Sequence, residues 1–156
     1  MDAARRSELV ARYKTGPEVI RSSLEGIDDA GLDARPADGG WTPREVVHHT
    51  ADSEMTSAIR LRRLVAEENP VIVGYDGDLF ADRLNYADRP IEPALAAVTA
   101  ARATTAQILD RLTEADWART GTHTESGAYG VEHWLEIYAD HCHDHADQIR
   151  AAVREP

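Results

Sequence analysis

Cysteine is nearly absent from this chain. Cys142 is the sole thiol, which excludes an internal disulfide and any zinc site built from several cysteines. Long apolar runs are missing too. No segment approaches the ~18 consecutive apolar residues that a membrane span needs, and the opening Met1-Asp2-Ala3-Ala4-Arg5-Arg6 has no apolar core of a secretory signal. A cytoplasmic location, away from any membrane, is the expectation. Positive charge is scarce: 17 Lys and Arg stand against 28 Asp and Glu, for a net charge of −11. Phosphate backbones call for a basic surface, so nucleic acid is not an expected partner. The densest basic group, Arg60, Arg62 and Arg63, reads as a solvated helix face paired with Glu67 and Glu68.

What is present suits a soluble globular fold. With 156 residues, 42% hydrophobic and 29% charged, the chain reads as one domain (residues 1–156) around a substantial core. Glycine and proline divide it into four long helical segments, with no strand pattern. The first spans roughly residues 7–26 and buries Val19, Ile20, Leu24 and Ile27; Gly16-Pro17 marks an interruption or a fresh start within it. After a connector over residues 31–40, Thr42-Pro43-Arg44-Glu45 predicts a helix entry. Thr42 is a good N-cap, Pro43 suits the first helical position, and Glu45 completes a capping box.

This second helix runs to about Glu68, where Asn69-Pro70 stops it. Residues 71–89 read as irregular, with a short helix near 79–84. A third helix starts near Pro90 or Glu92 and carries Leu95, Val98, Ala101, Thr105, Ile108, Leu109 and Leu112 at helical spacing. Residues 113–117 look like one extra turn, residues 120–127 like a turn-rich loop, and the last helix occupies roughly 129–153. Four amphipathic helices with a long central connection predict an all-α four-helix bundle.

The segment Tyr138 to Ile149 holds the most chemistry. His141 and His145 lie four residues apart, on one helix face and close enough to share an ion. The apolar stripe of that helix runs through Val131, Trp134, Leu135, Tyr138, Cys142, Ile149 and Val153. His141 and His145 fall inside it; His143 points away. Imidazoles aimed at an interior need partners, and a metal would be one. A third ligand must come from elsewhere, with His48, His49, His123 and His133 available. On the second helix, a stripe through Val46, Thr50, Ser53, Ser57, Leu61 and Leu64 includes His49. A competing stripe through Val47, Ala51, Ala58 and Val65 leaves both His48 and His49 at its margin, so periodicity does not choose between them. The residue after His141 is Cys142, where a zincin peptidase needs a glutamate. Trp41, Trp117 and Trp134 read as core anchors, and Cys142 as a buried filler.

Three stretches resemble the DinB-like superfamily of metal-binding four-helix bundles: Trp41 to Glu54, Asp116 to His123, and His141 to Ile149. The resemblance covers nearly the whole chain. It places a histidine eight residues after the tryptophan, which is His49, and a histidine pair before a Gln-Ile, which is His141 and His145. It implies a divalent metal, zinc or nickel, held by these three histidines, with positions open to water or a thiol. It also implies a metal-dependent enzyme: a low-molecular-weight thiol transferase or isomerase, related to bacillithiol- and mycothiol-dependent enzymes, or else a small-molecule hydrolase. A non-catalytic metal- or ligand-binding bundle is the third expectation. A homodimer is expected by the same resemblance. Thr50 departs from the family's usual aliphatic residue and is expected to loosen the pocket wall or reach a ligand. Asp52, Asp140 and Asp144 are the candidate partners for the ligands' second nitrogens.

Overall fold

A computed structural model of the chain describes residues 1–154. Its elements are α1 (Ala3–Ser23), α2 (Asp29–Leu32), α3 (Pro43–Ala66), β1 (Val71–Ile72), α4 (Gly77–Arg83), a 3₁₀ turn (Tyr86–Asp88), α5 (Glu92–Leu109), α6 (Glu114–Trp117), β2 (Thr120–His123), β3 (Gly127–Gly130) and α7 (Val131–Arg154). Among the described residues no helix is long and apolar enough to cross a membrane.

Local chemistry sets the helix starts. Asp2, Asp28, Thr42, Asp76 and Thr113 each accept a bond from a backbone N–H in the first turn of the helix they open. Thr42 and Glu45 form the expected capping box, with Pro43 in place. The four long helices α1, α3, α5 and α7 form the bundle: α1 packs on α7 and α5, and α3 packs on α5 and α7.

The core is built in layers. At one end Leu9, Tyr13, Leu61, Leu64, Leu109, Trp134 and Leu135 interlock; at the other end Ile20, Val46, Val47, Val98, Ala146 and Ile149 do so. Between these apolar clusters lies a buried polar layer, with Glu54 from α3 bonded to Arg102 from α5 at 2.7 Å. The buried line of α5 is therefore Ala94, Val98, Arg102, Thr105 and Leu109. The apolar stripe read from sequence passes beside Arg102 because charge alone marks that position as surface.

Two expectations need correction. Gly16-Pro17 neither interrupts α1 nor restarts it. Pro17 has no N–H to give the carbonyl four residues back, so the Tyr13 oxygen is left free. Arg102 Nη1 donates to that oxygen. Gly16 supplies the room, since a methyl group there would overlap the Arg102 guanidinium and lie 2.9 Å from Cys142 Cβ.

The second correction concerns strands. β1 pairs in parallel with β2, in the register Val71↔Thr122 and Ile72↔His123. β2 pairs antiparallel with β3, from Thr120↔Gly130 to His123↔Gly127. Strands this short carry too few residues for an alternating pattern to show. Their role is to tie the central connection to the start of α7.

Candidate metal centre

Helices α3 and α7 run antiparallel, and their facing residues pair in order. His49 faces His145, with ring centroids 4.9 Å apart. One turn on, the Ser53 hydroxyl lies 3.2 Å from His141 Nε2. Further on, Trp134 Nε1 donates to the Ser57 carbonyl at 3.0 Å. His49, His141 and His145 thus meet in one half-buried cluster, each offering a ring nitrogen within 4.8 Å of the others.

Hydrogen bonds fix which nitrogen each α7 histidine turns inward. His141 Nδ1 lies 3.1 Å from Glu54 Oε1. Burial acts to raise the Glu54 pKa, but the Arg102 charge and the His141 bond outweigh it and hold the carboxyl below its usual range. An ionised carboxylate only accepts, so His141 carries its proton on Nδ1. His145 Nδ1 donates to Gln148 Oε1 at 2.8 Å. In the neutral rings this leaves the lone pair on each Nε2, and the two Nε2 atoms lie 3.2 Å apart. Two nitrogens bound ~2.05 Å from a tetrahedral zinc would stand about 3.3 Å apart.

Lone pairs at that distance repel unless a proton or a cation sits between them. Burial and then the His141 ring push the His145 pKa down to about 4, which keeps the His145 Nε2 lone pair free for an acidic partner. Burial, His145 and His141 push His49 down to about 3. His49 Nδ1 is also buried without a hydrogen-bond partner among the described residues. Ring nitrogens at zinc-like spacing, with His49 and His145 held neutral by burial, fit a divalent ion. The Trp41 ring lies against His49 with centroids 4.5 Å apart, and a Cβ on Gly77 would come within 3.5 Å of the His49 ring, so the start of α4 closes the site's flank.

Several residues fall elsewhere. His48 is buried on another side of α3, bonded through Nε2 to the Arg89 carbonyl at 3.1 Å and stacked on Tyr86. His123 Nδ1 accepts from the Glu125 and Ser126 N–H groups and shapes the hairpin turn. His143 reaches the Arg12 carbonyl on α1, and His133 is exposed. Trp134 is a fully buried core anchor, whereas Trp41 belongs to the site's rim. Thr50 does not reach a ligand: it is buried and bonds back to the Val46 carbonyl of its own helix.

None of the aspartates expected to support the ligands does so. Asp52 accepts from Tyr86, Asp140 pairs with Arg12, and Asp144 is exposed. Glu54 and Gln148 take that role. Gln148 was legible, being three residues from His145 on the same helix. Glu54 and Arg102 were not, because only the tertiary packing of α3 on α5 and α7 brings them to His141. Glu54, His141 and Cys142 also gather ligand-type atoms. That trio is a support rather than a second centre: Glu54 Oε1 already accepts from Arg102 and His141, and burial and then Glu54 raise the Cys142 pKa and keep its thiol protonated. The basic run is likewise split. Arg63 pairs with Glu67 at the surface and Arg119 takes Glu68, while Arg60 turns inward among aromatic rings.

Known proteins share this arrangement of helices. The chain is 36% identical over 148 residues to a protein of Oceanobacillus iheyensis named "Putative metal-dependent hydrolase", covering 95% of this chain and 86% of that one. YfiT of Bacillus subtilis has a solved structure described as "a probable metal-dependent hydrolase with an unusual four-helix bundle topology". It superposes with a TM-score of 0.92 at 28% identity, over 99% of this chain and 89% of that one. A mycothiol-dependent maleylpyruvate isomerase shares the fold at 12% identity and a TM-score of 0.73, over 92% of this chain and 60% of that one. Residues 12–149 match the DinB superfamily, and the chain belongs to that superfamily.

Proposed function

We propose that the protein is a metal-dependent hydrolase of small molecules whose ion is held by His49, His141 and His145. One observation carries this reading: His141 and His145, with their Nδ1 protons given to Glu54 and Gln148, bring two Nε2 atoms within 3.2 Å of each other. A divalent ion supplies Lewis acidity there, polarising a carbonyl oxygen and making water acidic enough to ionise near pH 7.

The chain supplies the rest. Three imidazole ligands bring no negative charge, so they would leave the charge of a bound ion uncompensated, which would favour an anionic nucleophile. Glu54 is pinned by Arg102 and orients His141; it is not free to shuttle protons. Ser53 beside His141, and the Tyr75 and Tyr138 phenols, whose pKa values are raised by burial, stay protonated and offer hydrogen bonds to a substrate oxygen. Trp41 and the first turn of α4 at Gly77 limit water on the His49 side.

Thiol transfer on the same site ranks second. The sequence-based expectation put it ahead of hydrolysis, but its structural support is a fold shared at 12% identity, whereas the relatives above 30% identity carry hydrolase names. The test is turnover of an ester and amide panel by protein loaded with zinc, nickel or manganese. Hydrolysis that disappears on chelation, returns with the ion and is lost in His145→Ala supports the proposal. Hydrolysis that survives in His145→Ala, or consumption of a substrate only when a low-molecular-weight thiol is supplied, contradicts it.

A further inference from the structure

Beside the histidine cluster, on the same α3–α7 seam, lies a second group of polar side chains that the metal does not need. Arg60 sits on the α3 face that carries His49 and Ser53, seven residues beyond Ser53 and so roughly 10 Å along the axis. Its side chain leans back toward the N-terminal end of the helix, that is, toward Ser53. The guanidinium is half-buried. It donates from Nη1 to the Tyr138 phenol at 3.3 Å and from Nη2 to the Val73 carbonyl at 2.9 Å, and it lies 5.8 Å from the Tyr75 ring centroid. Tyr138 in turn packs on His141, with centroids 5.4 Å apart.

Two features mark this group as incomplete. Both partners of Arg60 are neutral, and its Nε is buried with no partner among the described residues. The phenol oxygen of Tyr129, a residue buried to all but 3%, makes no well-formed hydrogen bond among the described residues and has Arg60 as its nearby cation. A guanidinium partly removed from water, with only neutral partners, keeps most of its charge available to an anion. In a chain of net charge −11, a cation without an acidic partner, one phenol away from His141, is also a local reversal of field that attracts anions.

We propose that Arg60, with the phenols of Tyr75, Tyr129 and Tyr138, is a carboxylate-recognition subsite, so that the substrate is a small organic acid bearing its reactive bond at the histidine cluster. The assignment rests on that cluster being the reaction centre. The guanidinium offers planar N–H donors that match a carboxylate, and the phenols add neutral donors around it. One cation among neutral donors balances one negative charge. That suits a carboxylate better than a phosphate monoester dianion.

The test uses the zinc-loaded full chain, its Arg60→Gln and Arg60→Lys variants, and three kinds of probe. 4-Nitrophenyl hemiglutarate and 4-nitrophenyl butyrate present the same ester with and without a carboxylate. Monomethyl glutarate and glycerol 3-phosphate are followed by calorimetric titration, which needs no turnover. Circular dichroism establishes that each variant is folded. Wild type is expected to prefer the hemiglutarate. Arg60→Gln is expected to raise its KM by about 10- to 100-fold and to weaken monomethyl glutarate to a similar degree, so that the preference for the hemiglutarate over the butyrate is lost. Arg60→Lys is expected to lie between, because it keeps the charge and loses the planar fork.

Wild type without preference for the charged ester, monomethyl glutarate bound equally by Arg60→Gln, or tighter binding of glycerol 3-phosphate would each overturn the subsite. Arg60-dependent binding of monomethyl glutarate with no hydrolysis of either ester would uphold the subsite and remove the hydrolytic reading. Loss of the hydrolysis of both esters together would reduce Arg60 to a structural clamp on the Val73 strand end.

Discussion

His145 shows how much of the site is decided by single atoms. Its Nδ1 proton goes to Gln148, and that bond is what aims Nε2 at His141. Replacing Gln148 with leucine keeps the bulk and removes the acceptor, leaving a half-buried N–H without a partner. Zinc affinity, measured by competition with a chromophoric chelator, is expected to fall about 10- to 100-fold while the melting temperature of the metal-free protein changes little. An unchanged affinity would show that Gln148 does not orient the ring. At this scale the sequence was informative wherever partners share a helix. His141, His145 and Gln148 follow helical spacing and could be read together. Arg60 and Arg102 could not. Both are charged residues on helices that the pattern turns outward, and only the neighbouring helices show that each points into the protein.

Among the elements, α3 is the one whose reading stayed ambiguous, and its packing explains why. Val46, Thr50, Ser53, Ser57, Leu61 and Leu64 are buried, and so are Val47, Ala51 and Ala58. Packed by α5 and α7 and covered by the central connection, α3 has no single apolar stripe to choose, and both histidine positions fall within reach of a buried face. The entry of α3 was legible because a capping box is a local device. The continuity of α1 was not, since the use of Pro17 depends on an arginine from α5. That contact also makes a prediction. Gly16→Ala puts a methyl into the guanidinium of Arg102, which is held in place by Glu54, the Tyr13 carbonyl and the Tyr138 carbonyl. It is expected to destabilise the protein by about 1–3 kcal/mol despite the higher helix propensity of alanine, as read by urea unfolding. Greater stability in Gly16→Ala would mean that α1 and α5 are not packed this closely.

Over the whole molecule, two apolar clusters are joined through a polar layer that belongs as much to the site as to the core. Burial of the imidazoles links stability to pH. In the unfolded metal-free chain the His49 and His145 imidazoles take up protons near pH 6.5; in the folded chain they do so only near 3 and 4. The unfolded state therefore binds more protons below pH 6.5, and the stability these groups contribute falls as pH drops from 6.5 toward 4. A loss of up to about 3 kcal/mol from the two groups between pH 6.5 and 5 is expected in urea unfolding of the metal-free protein. Restoring the ion should flatten the curve until acid displaces it. A metal-free protein equally stable at pH 5 and 6.5 would mean that these rings are open to solvent.

The convergence of three imidazoles on one divalent ion is tested most directly by equilibrium titration of the metal-free chain with zinc and with nickel, alongside His48→Ala, His49→Ala, His141→Ala and His145→Ala. One ion per chain in wild type, retained in His48→Ala and weakened roughly 100-fold or more in each of the other three, is the predicted result. Tight stoichiometric binding that survives His49→Ala, or that vanishes only in His48→Ala, would contradict it.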